Sequence, residues 1–275
     1  MPLEGMTRRQ WVALAKSVRA RMEEHNLTLV AAGVAFYAFL ALIPALVAIV
    51  SLYGLVANPS DVTKQVNNLS GSLPPAARAF MISQLHSIIS SSSAGVSLAL
   101  VVGIATALWS ASAAMVSLVQ GIDLAQGRRV SRKFVAKRGL ALALTAGAAA
   151  LVIVVILLVA SAPSLLAQAG VGDIGRWILD IARWPLVAVI MVGSLATLYH
   201  VAAGRSGRPQ LQWGPVIGAA IWLLASALFA LYTANFSSYS KTYGTLASII
   251  VVLLWIWLGA LAALIGAEVD AQTTR

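Results

Sequence analysis

The chain has 275 residues, of which 60% are hydrophobic and only 10% charged, and its mean hydropathy is +0.87. A soluble globular domain carries about a quarter charged residues, so that class is excluded and the composition reads as a polytopic membrane protein. Nineteen Lys and Arg against nine Asp and Glu leave a formal charge of +10, and the lack of cysteine excludes disulfides, thiolate nucleophiles and Cys-based zinc sites.

The first 28 residues carry charges throughout and have neither the short apolar core nor the small-residue cleavage site of a secretory signal peptide, so the arm is expected to persist in the mature protein. Within it Trp11, Leu14, Ala15, Val18 and Met22 recur at helical spacing. This predicts an amphipathic helix lying on the inner leaflet while Arg8, Arg19 and Arg21 snorkel from its rim.

Six apolar segments follow, at residues 29–56, 94–119, 140–160, 184–203, 214–236 and 245–267. A helix needs about twenty residues to cross about 30 Å of hydrocarbon at about 1.5 Å per residue. The expected fold is therefore all-α: one membrane domain over residues 29–270 made of six transmembrane helices, with a short tail at 271–275.

Pro44 falls well inside the first span and should kink it, freeing a carbonyl that needs another partner. The loop at 57–93 is the largest extramembrane insertion. Pro74 and Pro75 can open a helix there, and Met81, Ile82, Leu85, Ile88 and Ile89 supply its apolar stripe. This outer-face amphipathic helix is either a lid or docking element or a cap on the bundle.

In the second span Thr106, Ser110, Ser117 and Gln120 share one face, with Trp109 at its edge. Polar side chains are costly in a membrane. The face either lines a polar path or forms the small-residue seam through which membrane helices pack. Asp123 follows this span.

Gly214 and Gly218 open the fifth span at GxxxG spacing beside Pro215, which suits a first helical turn. In the last span Gly244, Ser248, Gly259, Ala262 and Gly266 fall on one side, with Ile250, Leu254, Trp257, Leu261 and Ile265 on the other. The small side is expected to pack tightly against a neighbour. Glu268 and Asp270 come where the hydrocarbon is exhausted, so they are expected at headgroup depth. There Glu268, like Asp123, serves either as a cytoplasmic gate or in an ion pair that fixes the end of a span.

Sorting the cations by side orients the chain. The arm holds five, the loop at 121–139 six, the loop at 204–213 two and the tail Arg275, whereas the other side holds Lys64, Arg78, Arg176, Arg183 and Lys241. Fourteen against five is the asymmetry of the positive-inside rule and places both termini in the cytoplasm. The expected partners are membrane lipids, with anionic headgroups at the basic inner face, and protein partners or a second copy of the chain are also open. Nucleic acid is not expected, because the basic loops are short and lack interleaved aromatics.

The stretches LTLVAAGVAFYAFLALIP (27–44), LWSASAAMVSLVQGIDLA (108–125) and YGTLASIIVVLLWIWLGALAALIGAEVD (243–270) resemble the YihY/BrkB family of bacterial inner-membrane proteins. The resemblance runs from about residue 26 to residue 270. The family pattern falls on Tyr37 and Pro44, on Trp109, Ser110 and Asp123, and on Tyr243, Gly244, Gly266 and Glu268; Asp270 stands where the family more often has Asn. The resemblance implies a six-helix protein of the bacterial inner membrane, and family labels range from virulence factor to lipid movement, ion antiport and a ribonuclease name regarded as a misassignment.

The residues argue against an enzyme. Nine acids are scattered, His25, His86 and His200 lie in separate segments, and no GxxxxGK[ST] phosphate loop is present. No metal or cofactor is expected. A transporter-like role with an amphipathic lipid comes first, a scaffold for envelope partners second, and a proton- or cation-coupled transporter using Glu268 or Asp123 third.

Overall fold

The computed structural model describes residues 7–56, 93–127, 133–168, 173–204, 212–234 and 245–273. Among the described residues every regular element is a helix: α1 (Arg8–Glu24), α2 (Leu27–Val56), α3 (Ser93–Ala125), α4 (Phe134–Gln168), α5 (Asp173–Ala202), α6 (Trp213–Ala234) and α7 (Thr245–Thr273). The expected outer helix at 57–93, together with Tyr243 and Gly244, lies outside the described residues apart from Ser93, where α3 begins.

Each helix start has a chemical cause where its cap is described. At α1 the Gln10 side chain accepts from the Thr7 backbone N–H at 2.8 Å and from the Thr7 hydroxyl at 3.1 Å, a capping arrangement that serves groups left over at a helix N-terminus. The helix stops at a corner. Asn26 takes φ 50°, a left-handed conformation that Asn tolerates, its N–H donates to Glu23 O, and its carbonyl accepts from Leu29 and Val30 to open α2. α1 and the first part of α2 are bent by 63° across this corner.

Among the described residues five helices are long and apolar enough to cross a membrane, or up to six if the bent pair of α1 with the start of α2 is one span. The chain is thus a multi-pass helical membrane protein. Only 11 to 28% of each of the five spans is buried within the protein, which leaves side chains such as Val101, Val189, Leu224 and Leu231 for lipid to cover. Several helices outrun the apolar segments read from the sequence: α4 continues to Gln168, α5 begins at Asp173 with Pro185 inside it, and α7 continues to Thr273. Hydropathy marks only the part of a helix that matches hydrocarbon, whereas backbone hydrogen bonding carries the helix on into the interface.

The described helices fall into two compact units, divided between Ala32 and Gly33 in α2, Ala114 and Met115 in α3, Ala227 and Leu228 in α6, and Trp257 and Leu258 in α7. The larger unit takes α1, the start of α2, the end of α3, α4, α5, most of α6 and the end of α7. Its core gathers Leu27, Ile122, Tyr199, Pro215 and Leu264, all fully buried. A Cβ added at Gly121 would come within 2.6 Å of Leu264 and 2.8 Å of Val30, so α3, α7 and α2 meet there. At this one end α2 and α6 begin while α3 and α7 finish, as an up-and-down bundle requires.

The smaller unit comprises the rest of α2, α3, α6 and α7. Ser112 is buried in it and donates to the Trp109 carbonyl at 2.7 Å, satisfying its hydroxyl within its own helix.

Candidate functional site

Two features of the larger unit have the chemistry of a site. The first is the seam where α6 meets α7. Gly214, Gly218 and Trp222 on α6 recur every four residues and lie against Gly266, Ala262 and Gly259 on α7, running in the opposite direction. A Cβ at Gly266 would lie 2.5 Å from the Tyr199 hydroxyl and 2.7 Å from the Gly214 carbonyl; one at Gly218 would lie 3.3 Å from the Ala262 carbonyl. Only glycine lets the backbones approach this closely. The Tyr199 hydroxyl donates to the Ala263 carbonyl and so ties α5 to the same seam. Gly214 and Gly218 are therefore used inside the chain, against α7.

Just beyond the seam sit the two carboxylates. Asp270 is buried against Gly214 in the first turn of α6, where the partial positive charge of a helix N-terminus favours an anion. Glu268 points to the other side. Its Oε1 accepts from Arg21 at 3.3 Å and from Gln272 at 3.2 Å, and its Oε2 lies 3.4 Å from His25 Nδ1, close enough for an ion pair although not aligned as a hydrogen bond. Glu268 is wholly enclosed while the Arg21 side chain keeps 29% of its surface exposed. The arrangement holds the end of α1 and its corner against the end of α7.

The second feature is a groove of about 630 Å³ between α3, α4 and α5. Met115 contributes from α3, Leu144, Gly147 and Leu151 from α4, and Ile190 and Gly193 from α5. Its polar members are Ser194 and Thr197, whose hydroxyls donate to the Ile190 and Gly193 carbonyls of their own helix at 2.7 and 2.8 Å. The lining thus offers an apolar surface. Nothing lies within 4 Å of a Cβ built at Gly147 or Gly193, so the groove owes its width to side chains that are absent there. Such a volume is within the range, about 300 to 1,000 Å³, of pockets that hold small molecules.

A model of the family described as "Virulence factor BrkB" matches residues 18–275, almost the whole chain. The chain belongs to the BrkB family. A "Putative ribonuclease-like protein YfkH" of Bacillus subtilis is 25% identical over 266 residues, 94% of each chain. A "UPF0761 membrane protein" of Albidiferax ferrireducens is 26% identical over 98% of this chain, but the match spans 64% of that relative's length. A third, of Aeromonas salmonicida, is 43% identical over 58 residues, 21% of this chain and 20% of the relative. No solved structure matches.

The residues singled out from sequence are distributed over both units of this BrkB-family chain. Thr106, Trp109 and Ser110 lie on the part of α3 in the smaller unit, and Ser117, Gln120 and Asp123 on the part in the larger one. Thr106 donates to the Val102 and Gly103 carbonyls of its own helix, Trp109 is exposed, Ser110 and Ser117 are half-buried and Gln120 is exposed. The described groove takes Met115 from α3 and none of these. Tyr37 is exposed on α2, Pro44 lies within that helix, Gly266 is at the seam, and Asp123 is half-buried. Among the described residues no three His, Cys, Asp or Glu side chains converge as a metal site.

Sequence reasoning missed Gly147 and Gly193, which stand in apolar runs with no motif around them, and the pairing of His25 with Glu268 across 243 residues. For the groove the one available signal was that Gly147 stands among alanines and leucines on a helix that gains nothing from a glycine.

Proposed function

We propose that this chain handles an amphipathic lipid in the bacterial inner membrane, in the manner of a transporter and without hydrolytic chemistry of its own. The groove between α3, α4 and α5 carries the reading: it is apolar, its hydroxyls are already bonded to their own helix, and it lies among helices whose outer faces meet lipid. The proposal includes both termini on the cytoplasmic side. The distribution of Lys and Arg supports that orientation, and the contact of Arg21 with Glu268, which joins the end of α1 to the end of α7, supports a common side for the two.

The ribonuclease-like name belongs to the Bacillus relative. We do not extend it to this chain, whose buried carboxylates Glu268 and Asp270 are engaged by Arg21, His25 and the start of α6. The test is reconstitution into vesicles with a headgroup-labelled phospholipid and measurement of its movement between leaflets. Wild type should accelerate movement, and Ser117→Leu with Gln120→Leu tests whether the polar face of α3 takes part. Movement no faster than in empty vesicles would remove the proposal.

Ion coupling through Glu268 is a second reading, favoured by one observation, a fully buried carboxylate with a histidine beside it. A Glu268→Gln variant that folds and keeps full lipid movement without an ion gradient would eliminate it.

A further inference from the structure

The face of α4 that lines the groove does not end at the groove. Lys133, Lys137, Leu144 and Leu151 follow one another at intervals of four, seven and seven, which keeps all four on one side of the helix. Lys133 stands immediately before the first residue of α4 and is joined to Lys137 by the first helical turn, the Lys137 N–H donating to the Lys133 carbonyl at 3.0 Å. Lys133 is exposed and Lys137 half-buried, and among the described residues no carboxylate lies within ion-pair distance of either. The apolar groove therefore has two cations at one end, on the face that leads into it, with no ion-pair partner among the described residues.

The spacing along the helix matches one kind of molecule. From Lys137 to Ala143, the first α4 residue of the groove, is about 9 Å of helix, and from Ala143 to Leu151 is about 12 Å more. One leaflet of hydrocarbon is about 15 Å deep. A phosphate at the lysines thus leaves a glycerol-sized gap before an acyl chain enters the groove.

We infer that Lys133, Lys137 and the groove between α3, α4 and α5 form one binding site for a glycerophospholipid of net negative charge. Its phosphodiester lies at the two ammonium groups and one acyl chain lies along Leu144, Gly147, Leu151 and Gly193. This deepens the lipid-handling reading and rests on it for the purpose of the site, but the binding itself is separately measurable. A zwitterionic lipid presents the same acyl chains, so the lysines supply the preference and the groove supplies the retention. Two lysines close to an anionic headgroup are expected to favour it by about tenfold or more.

The experiment is native mass spectrometry of the full chain released from nanodiscs of equal parts phosphatidylglycerol and phosphatidylethanolamine, at low ionic strength. Wild type should retain one phosphatidylglycerol, preferred about tenfold or more over phosphatidylethanolamine. The Lys133→Gln, Lys137→Gln double variant should still retain one lipid but without preference. Gly193→Phe, and independently Gly147→Phe from the facing wall, should fill the groove and abolish retention while thermal unfolding stays as in wild type. An unchanged preference in the double lysine variant, or undiminished retention in a folded groove variant, overturns the site. So does a shift from dimer to monomer on filling the groove, which would make the occupant a second copy of the chain. Retention as expected with no lipid movement in vesicles would leave the site standing and remove the transport reading. Lipid movement with retention indifferent to all four substitutions would do the reverse.

Discussion

The same residue does opposite work in two regions of one unit. At the α6–α7 seam, Gly214, Gly218 and Gly266 exist so that backbone can touch backbone, and any Cβ there meets a carbonyl, a phenol or another helix. In the groove, Gly147 and Gly193 face open space, and a Cβ there meets nothing. A membrane helix cannot be driven onto its neighbour by the hydrophobic effect, because lipid tails are as apolar as leucine; close van der Waals packing has to hold it. Glycine in contact therefore contributes cohesion, whereas glycine without contact leaves room for a guest.

The contrast breaks most readily at Gly266. Gly266→Ala forces a methyl between the Tyr199 hydroxyl and the Gly214 carbonyl, atoms fixed by backbone and by the Tyr199 to Ala263 hydrogen bond. A loss of about 3 kcal/mol is expected, read as a lower midpoint when unfolding is followed by tryptophan fluorescence in detergent. A midpoint equal to wild type would mean that the seam is looser than its geometry.

Next in size is the tie beyond the seam. Glu268→Gln keeps a partner for Gln272 but leaves Arg21 and His25 without their anion. Because Arg21 is partly solvated, a cost of about 1 to 3 kcal/mol is expected rather than the full penalty of breaking a buried pair. The cost should fall on the α1 corner. The absence of any cysteine makes single introduced cysteines on α1 clean handles, and their alkylation should accelerate in the variant.

Asp270→Asn is expected to change stability by less than about 1 kcal/mol, because the amide keeps the shape of the side chain and gives up the attraction of its charge to the first turn of α6. A larger effect in the same unfolding measurement would give the Asp270 charge a role beyond that contact. Smallest is Gly147→Ala, which meets nothing and should leave the midpoint unchanged or raise it by less than about 1 kcal/mol through helix propensity. Together with Gly266→Ala it separates the two uses of glycine: the same methyl is costly in one place and harmless in the other.

Much of the architecture was legible before any coordinate. Apolar runs of membrane-crossing length announced a bundle of membrane helices, Trp11 to Met22 announced α1, and the small side of the last span, from Gly259 to Gly266, named the surface that packs. What stayed hidden was partnership. Any inner-side cation was available to Glu268; the left-handed turn at Asn26 brought Arg21 and His25 to it. Gly214 and Gly218 stood at GxxxG spacing with no partner named, and folding assigned them to α7.

Composition and periodicity by themselves determined that this is a helical membrane protein and which faces of its last helix are small, because the cost of unpaired backbone in hydrocarbon leaves helices as the main solution and hydropathy measures them directly. Tertiary structure alone decided which glycines touch and which leave a groove, and which cation meets the buried carboxylate. Those are distances between segments far apart in the chain, and no local pattern encodes a distance.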